Sequence, residues 1–140
     1  MAMTAHVVYT AIDADNPATL SRKIIRHVVR KVIGFNGLLI TDDFSMKALP
    51  GTHTQKAQAA YDAGNDMLLH CNGVLEEMEE VGAAAIELSP KTARRAKAAL
   101  KQKRKPQPFD EKQALADLHA LTETQQATRP AADPTAFAKN

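Results

Sequence analysis

The sequence contains one cysteine, no long apolar run and very little net charge. Cys71 cannot form an intrachain disulfide on its own, and a cysteine-rich metal cluster is excluded. No apolar stretch approaches the roughly 18 to 20 residues that a membrane-spanning helix requires, and the first residues lack the basic and apolar segments of a secretion signal. We therefore expect a cytoplasmic protein whose stability depends on its hydrophobic core.

The composition is that of a globular protein. Of the 140 residues, 44% are hydrophobic, and 18 basic residues nearly balance 16 acidic ones to give a formal net charge of +2. A chain with this balance has enough apolar surface to bury and shows no sign of intrinsic disorder. Its length fits one small domain.

The most informative segment is a short apolar strand that ends on two adjacent carboxylates. Residues 38–40 are apolar, follow Gly37 and lead through Thr41 to Asp42 and Asp43. A continuous apolar run of this length is typical of a strand buried on both faces of a parallel sheet. Because the C-terminal ends of such strands carry the catalytic groups of α/β enzymes, the pattern predicts an active site at the two aspartates.

Apolar segments alternate with helical patterns along the first part of the chain. Strands are predicted at residues 4–10, 38–41 and 66–71, so that successive units take about 30 residues, the length of a βα unit. The predicted helices run to about Val32, over residues 54–63 and onward from Leu75. Three such units in series favour an α/β fold with a parallel sheet, either a barrel or a doubly wound sheet.

The character of the sequence changes after residue 88. Ser89 and Pro90 begin a basic helical segment that extends to Lys105, and a second helical pattern covers residues 110–126. We expect a first domain over residues 1–105, a helical extension over 106–128 and a disordered tail over 129–140.

Three segments carry a family resemblance: MTAHVVY at residues 3–9, GFNGLLITDDFSM at residues 34–46 and AGNDMLLHCN at residues 63–72. In this order and spacing they resemble the C-terminal part of the barrel of glycoside hydrolase family 3, in particular the bacterial β-N-acetylhexosaminidases of peptidoglycan recycling. The resemblance extends to about residue 105. It implies a TIM-type (β/α)8 barrel of which this chain supplies strands six, seven and eight with their helices, followed by extra C-terminal helices.

In that family the carboxylate that ends strand seven is the catalytic nucleophile, and the matching residue here is Asp42. The resemblance implies retaining hydrolysis of terminal β-N-acetylglucosaminides through a covalent glycosyl-aspartate intermediate, without a cofactor. Neighbouring side chains of a strand point to opposite sides, so Asp43 is expected to support the site rather than act as nucleophile. His6 and Met46 are the other candidates for contact with the substrate or for support of the site.

The family's acid/base histidine lies on an earlier loop, in a Lys-His-Phe-Pro-Gly-His-Gly motif that this sequence does not contain. We therefore expect the isolated chain to be inactive or nearly so, because acid catalysis commonly contributes about 10² to 10⁴-fold. A noncatalytic remnant of such an enzyme is one alternative. A nucleic-acid-binding module built on the basic segment 91–105 is another, disfavoured by the near-neutral chain and the lack of interleaved aromatic residues.

The histidines and the cysteine have simpler interpretations as well. His6 and His70 lie on apolar strands, where a hydrogen-bonded core histidine is the more common role. Cys71 is expected to be a small buried side chain. No metal site is predicted, because convergent spacing with acidic residues is lacking at the other three histidines, His27, His53 and His119.

The predicted sheet has an open edge. Three parallel strands cannot close a barrel, so the backbone groups and apolar side chains at the edge of the first strand would lack partners. Self-association through this edge is the expected consequence.

Overall fold

The computed structural model describes residues 1–126 of the chain. Residues Met1–Lys103 form one compact unit, and a second unit begins at Arg104. The predicted disordered tail, residues 129–140, lies outside the described residues. None of the helices within residues 1–126 combines the length and apolar content needed to cross a bilayer.

The first unit is built on a parallel sheet of three strands. They are β1 (Ala2–Met3), β2 (Leu39–Asp43) and β3 (Met67–Leu69), in the spatial order β1-β2-β3. Ala2 pairs with Leu39 and Ile40 pairs with Met67, so β2 is the central strand. The predicted α/β class with a parallel sheet is confirmed.

The first strand is shorter and earlier than the predicted segment 4–10. Its ladder ends after the Thr4 amide, which donates to the carbonyl of Ile40 at 2.9 Å. The chain then folds back on itself: Val8 forms an isolated antiparallel bridge with Pro17, and the amides of Ile12 and Asp13 both donate to the carbonyl of Tyr9. The apolar residues 7–9 therefore belong to a loop that pairs with residues 17–18 rather than to the sheet.

Five helices lie within residues 1–126. They are a π-helix (Lys23–Val32), α1 (His53–Ala63), α2 (Leu75–Ala83), α3 (Pro90–Leu100) and α4 (Glu111–Gln126). The predicted helix that ends near Val32 is present, but with the wider π geometry, as the amide of Ile33 donating to the carbonyl of Val28 shows. α3 begins as predicted, with Ser89 as its N-cap and Pro90 in the first turn, but it ends at Leu100 instead of Lys105.

The core consists of two clusters of buried side chains, and α1 contributes to both. One cluster joins β2 to the π-helix and the end of α1 through Ile25, Leu39 and Ala63. A second cluster packs the loop after β2 against α1 and α2 and contains Phe44, Leu49, Ala57, Ala60 and Val81. The alanines of α1 let the helix approach closely, and the left-handed Gly64 ends it as the sequence predicts.

A buried ion cluster fixes the opposite end of the sheet from the aspartate pair. The carboxylate of Asp66, just before β3, lies 2.8 Å from Arg30 and 2.7 Å from Arg95, and it accepts a hydrogen bond from the Leu39 amide at 2.9 Å. Burial by itself raises the pKa of the Asp66 carboxyl, but the Leu39 amide and the two guanidinium groups outweigh it, so that this pKa lies below its ordinary value. Arg95 of the basic helix α3 therefore has a role within the fold.

Candidate active site

Asp42 and Asp43 end the central strand, and their carboxylates have different surroundings. Both side chains are half-buried. Oδ1 of Asp42 accepts a hydrogen bond from the amide of Asp43 at 2.9 Å. Among the contacts of the described side chains and amides, none is a hydrogen bond to the other Asp42 oxygen, so that oxygen is available to an external group.

The carboxylate of Asp43 is engaged within the fold. Its Oδ1 accepts hydrogen bonds from the amides of Ser45 at 2.9 Å and Cys71 at 3.0 Å, and its Oδ2 accepts a short one from the Ser45 hydroxyl. The Ser45 hydroxyl and amide lower the pKa of the Asp43 carboxyl, desolvation opposes them, and the Cys71 amide and His70 add to the lowering. Asp43 thus ties the end of β2 to the segment that follows β3.

His6 links the segment after β1 to the end of β2. Its Nε2 lies 3.1 Å from the backbone carbonyl oxygen of Asp43, and its Nδ1 lies 2.8 Å from the hydroxyl of Thr19. A carbonyl oxygen can only accept, so Nε2 carries the hydrogen and Nδ1 accepts from Thr19 in the neutral ring. The Thr4 hydroxyl donates to the Thr19 hydroxyl at 3.1 Å, which extends the network to the residue that follows β1.

Met46 lies in the turn after Asp43. Its backbone amide donates to the carbonyl of Asp43 at 3.2 Å, so that this oxygen accepts from both His6 and Met46. The Met46 side chain is 44% exposed. The structure therefore brings His6 and Met46 together at the backbone carbonyl of Asp43, the residue that follows Asp42.

Cys71 is exposed, and the prediction that it is buried is wrong. It stands beyond the end of β3, where the chain has left the sheet. Local desolvation and the neighbouring carboxylates of Asp43 and Asp42 raise the pKa of its thiol. The protonated thiol is thus favoured, and a nucleophilic role for Cys71 is not supported.

The sequence shows no convergent spacing of His53 with acidic residues, but the structure brings two glutamates to its ring. Nε2 of His53 lies 3.5 Å from Glu77, and Nδ1 lies 3.0 Å from Glu80. His70 reaches the same Glu77 carboxylate at 3.7 Å. These groups come from α1, α2 and the segment after β3, so residue spacing along the chain carries no signal for their convergence.

Comparisons with known proteins agree on one family. The family model described as glycosyl hydrolase family 3 N-terminal domain matches residues 1–103. The β-hexosaminidase of Tolumonas auensis is 49% identical over 72 residues, which are 50% of this chain and 21% of that protein. The chain therefore spans about one fifth of the length of this curated relative.

Solved structures show the same relationship. The β-N-acetylglucosaminidase from Thermotoga maritima superposes with a TM-score of 0.58 at 32% identity, over 74% of this chain and 25% of that one. The β-N-acetylhexosaminidase from Beutenbergia cavernae superposes with a TM-score of 0.54 at 28% identity, over 69% of this chain and 32% of that one. Because the family model matches well over half of the chain, this protein belongs to glycosyl hydrolase family 3 through the family's N-terminal domain.

Proposed function

We propose that residues 1–103 supply the last three strands and helices of a (β/α)8 barrel in a retaining β-N-acetylhexosaminidase, with Asp42 as the catalytic nucleophile. The order of the three parallel strands and the names of the relatives support the assignment. The position of Asp42 at the C-terminal end of a barrel strand supports it further, because active sites of TIM barrels lie at that face.

The observation that carries the proposal is the difference in hydrogen bonding between the carboxylates of the two adjacent aspartates. The carboxylate of Asp43 accepts hydrogen bonds from the amides of Ser45 and Cys71. Among the described contacts, the carboxylate of Asp42 accepts a single hydrogen bond, from the Asp43 amide. A retaining glycosidase needs one ionised oxygen free to attack the anomeric carbon and form a glycosyl ester. Asp42 has one oxygen without a donor among the described contacts, and the Asp43 amide fixes the other one.

The first half of the reaction also needs a proton donor for the leaving oxygen. A retaining mechanism protonates that oxygen as the ester forms and then activates water to hydrolyse the ester. The histidine motif that supplies this proton in the resembling family is absent from the sequence. We propose that a further polypeptide segment supplies it, and that the isolated chain is inactive.

The biological setting extends the same proposal. A terminal β-N-acetylglucosaminide from the cell wall is the proposed substrate, and peptidoglycan recycling in the cytoplasm is the proposed role. Both rest on the family resemblance. The catalytic proposal on Asp42 stands without them.

An apolar cleft next to the edge strand β1 supports a proposal of self-association. The cleft has a volume of about 460 Å³ and is lined mainly by apolar side chains of β1, the π-helix and the loop between them. Close by, Val32 is 69% and Ile33 67% exposed at the end of the π-helix. We propose that two isolated chains cover these surfaces by associating at this edge.

A chimera tests the catalytic proposal. The matching segment of the Tolumonas auensis β-hexosaminidase is replaced by the corresponding residues of this chain, and release of the chromophore from an aryl N-acetyl-β-glucosaminide is measured. Asp42→Asn is expected to lower kcat/KM at least about a thousandfold without a change in the melting temperature. Asp43→Asn is expected to lower the melting temperature as well, because two backbone amides lose a charged acceptor.

The exposed Asp62 of α1 offers a matched control, and Asp62→Asn is expected to keep the parent activity. A mechanism-based fluorosugar that traps the intermediate is expected to label the peptide that contains Asp42. Full activity of the Asp42→Asn chimera, or a label on another residue, contradicts the proposal.

A further inference from the structure

Three metal-ligating side chains converge beside the end of β3, outside the aspartate pair. His53 begins α1, His70 follows β3, and Glu77 lies in the first turn of α2. One ligand atom from each of the three lies within 4.8 Å of the others. We refer to His53, His70 and Glu77 as the two-histidine cluster.

The distances from the two histidines to Glu77 are close to the ligand spacing around a small tetrahedral cation. Nε2 of His53 lies 3.5 Å, and Nε2 of His70 lies 3.7 Å, from the same Oε2 of Glu77. Ligand atoms about 2.0 to 2.1 Å from a tetrahedral zinc ion are separated from one another by about 3.3 to 3.4 Å. The two distances to Glu77 therefore need to shorten by only a few tenths of an ångström, and the ligand atoms of the two histidines lie within 4.8 Å of one another.

The ring nitrogens of His70 are buried without a hydrogen-bond partner among the described residues. Its side chain is 6% exposed, and neither Nδ1 nor Nε2 has a hydrogen-bond partner within the described part of the chain. A buried imidazole without partners is costly, because its ring nitrogens lose their hydrogen bonds to water. A cation on Nε2 removes this cost for the nitrogen that faces Glu77.

Two neighbouring side chains orient the ligand groups. Glu80 lies 3.0 Å from Nδ1 of His53, on the side of the ring opposite the cluster. Asn72 donates to Oε2 of Glu77 at 2.6 Å. A carboxylate on the far ring nitrogen of a histidine fixes its tautomer and increases its basicity as a metal ligand.

We propose that the two-histidine cluster binds one divalent transition-metal ion of the zinc class, with His53 Nε2, His70 Nε2 and Glu77 as ligands and a fourth position open to water. Two imidazoles and one carboxylate suit zinc better than magnesium or calcium, which prefer oxygen ligands. The ion joins α1, α2 and the end of β3, and thereby holds Cys71, whose amide supports Asp43. The proposal is independent of the nucleophile assignment.

Zinc titration of the full chain after chelator treatment tests the proposal. Calorimetry is expected to give one zinc per chain, and zinc is expected to raise the melting temperature. His70→Leu and Glu77→Gln are each expected to weaken zinc binding more than about 100-fold, and Glu80→Gln, which removes only the orienting group, about 10 to 100-fold. His27→Gln, at an exposed histidine, and Cys71→Ser are expected to bind zinc like the parent chain.

The variant His70→Leu distinguishes a loss of the zinc ligand from a loss of zinc binding caused by unfolding. It removes an unpartnered buried polar ring, so its melting temperature without metal is expected to equal or exceed that of the parent, while the zinc-induced rise disappears. Cobalt(II) is expected to give the visible absorption of a four-coordinate site in the parent chain and not in His70→Leu. Absence of stoichiometric zinc binding by the parent, one zinc per two chains, or parent-like affinity in His70→Leu overturns the proposal.

Discussion

Nε2 of His6 donates to the backbone carbonyl of Asp43 across 3.1 Å, which ties the segment after β1 to the residue that follows Asp42. The same ring accepts from Thr19 at 2.8 Å. Both ring nitrogens are therefore used inside the fold. The contact makes His6 a positioning residue for the end of β2.

Replacement of His6 is expected to loosen that end of the sheet. His6→Ala removes two hydrogen bonds of a half-buried ring, and the expected loss of unfolding free energy is about 1 to 2 kcal/mol. Urea unfolding followed by circular dichroism measures it. His27→Ala, at an exposed position of the π-helix, is the control and is expected to change stability by less than about 0.5 kcal/mol. Equal stability of the two variants contradicts the positioning role.

The Asp66 ion cluster predicts a larger effect at the other end of the sheet. Asp66→Asn keeps a possible acceptor for the Leu39 amide but leaves Arg30 and Arg95 without a counter-ion. Their side chains are only 14% and 11% exposed. We expect a loss of about 2 to 3 kcal/mol, less than the roughly 3 to 5 kcal/mol found for fully buried pairs. Asp15→Asn, at an exposed aspartate, is the matched control, and an equally small change in both variants argues against the cluster's contribution.

The carboxylate of Asp66 also makes the free energy of unfolding depend on pH. The pKa of Asp66 is lower in the folded chain than the value of about 3.9 expected in the unfolded chain. Between these two pKa values the unfolded chain binds more protons, so stability rises with pH in that window. The Asp66 contribution is fully present above about pH 4 and is lost as the pH falls through its lowered folded-state pKa. Urea unfolding between pH 7 and pH 3 is expected to show a shallower acid-induced loss for Asp66→Asn than for the parent, and parallel curves contradict this account.

Sequence patterns correctly predicted those features of the fold that depend on interactions between residues close together in the chain. The strand before Asp42, the cap at Ser89 and the helix end at Gly64 follow from apolar runs, side-chain capping and backbone conformation within a few residues. Contacts between distant segments escaped prediction. Asp66 meets an arginine 36 residues earlier, and His53 meets His70 and Glu77 only after α1, β3 and α2 have packed. The misplaced first strand has the same origin, because the turn at residues 9–13 and the bridge from Val8 to Pro17 override an apolar run.

The exposed edge predicts concentration-dependent association of the isolated chain. Ile33→Lys places a charge on a side chain that is 67% exposed beside the apolar cleft at β1. We expect sedimentation velocity to show association of the parent chain at micromolar concentration and a markedly weaker association of this variant. Leu100→Lys, on a side chain that is 73% exposed at the end of α3, is the control and is expected to associate like the parent. A monomeric parent chain, or equal weakening in both variants, counts against the open edge.

Replacement of glycine by alanine is expected to change the free energy of unfolding in opposite directions at Gly64 and at Gly82. Gly64 ends α1 with a φ of +117°, and an added Cβ would lie 3.2 Å from Cγ2 of the buried Ile25. Gly64→Ala is therefore expected to cost about 1 to 2 kcal/mol, since an L-residue is disfavoured in this conformation and the core has little room. Gly82 lies within α2, and an added Cβ would meet no atom within 4 Å. Gly82→Ala is expected to gain about 0.5 to 1 kcal/mol from helix propensity. Urea unfolding of both variants measures the two signs, and a stabilising Gly64→Ala would show that the end of α1 does not need a left-handed residue.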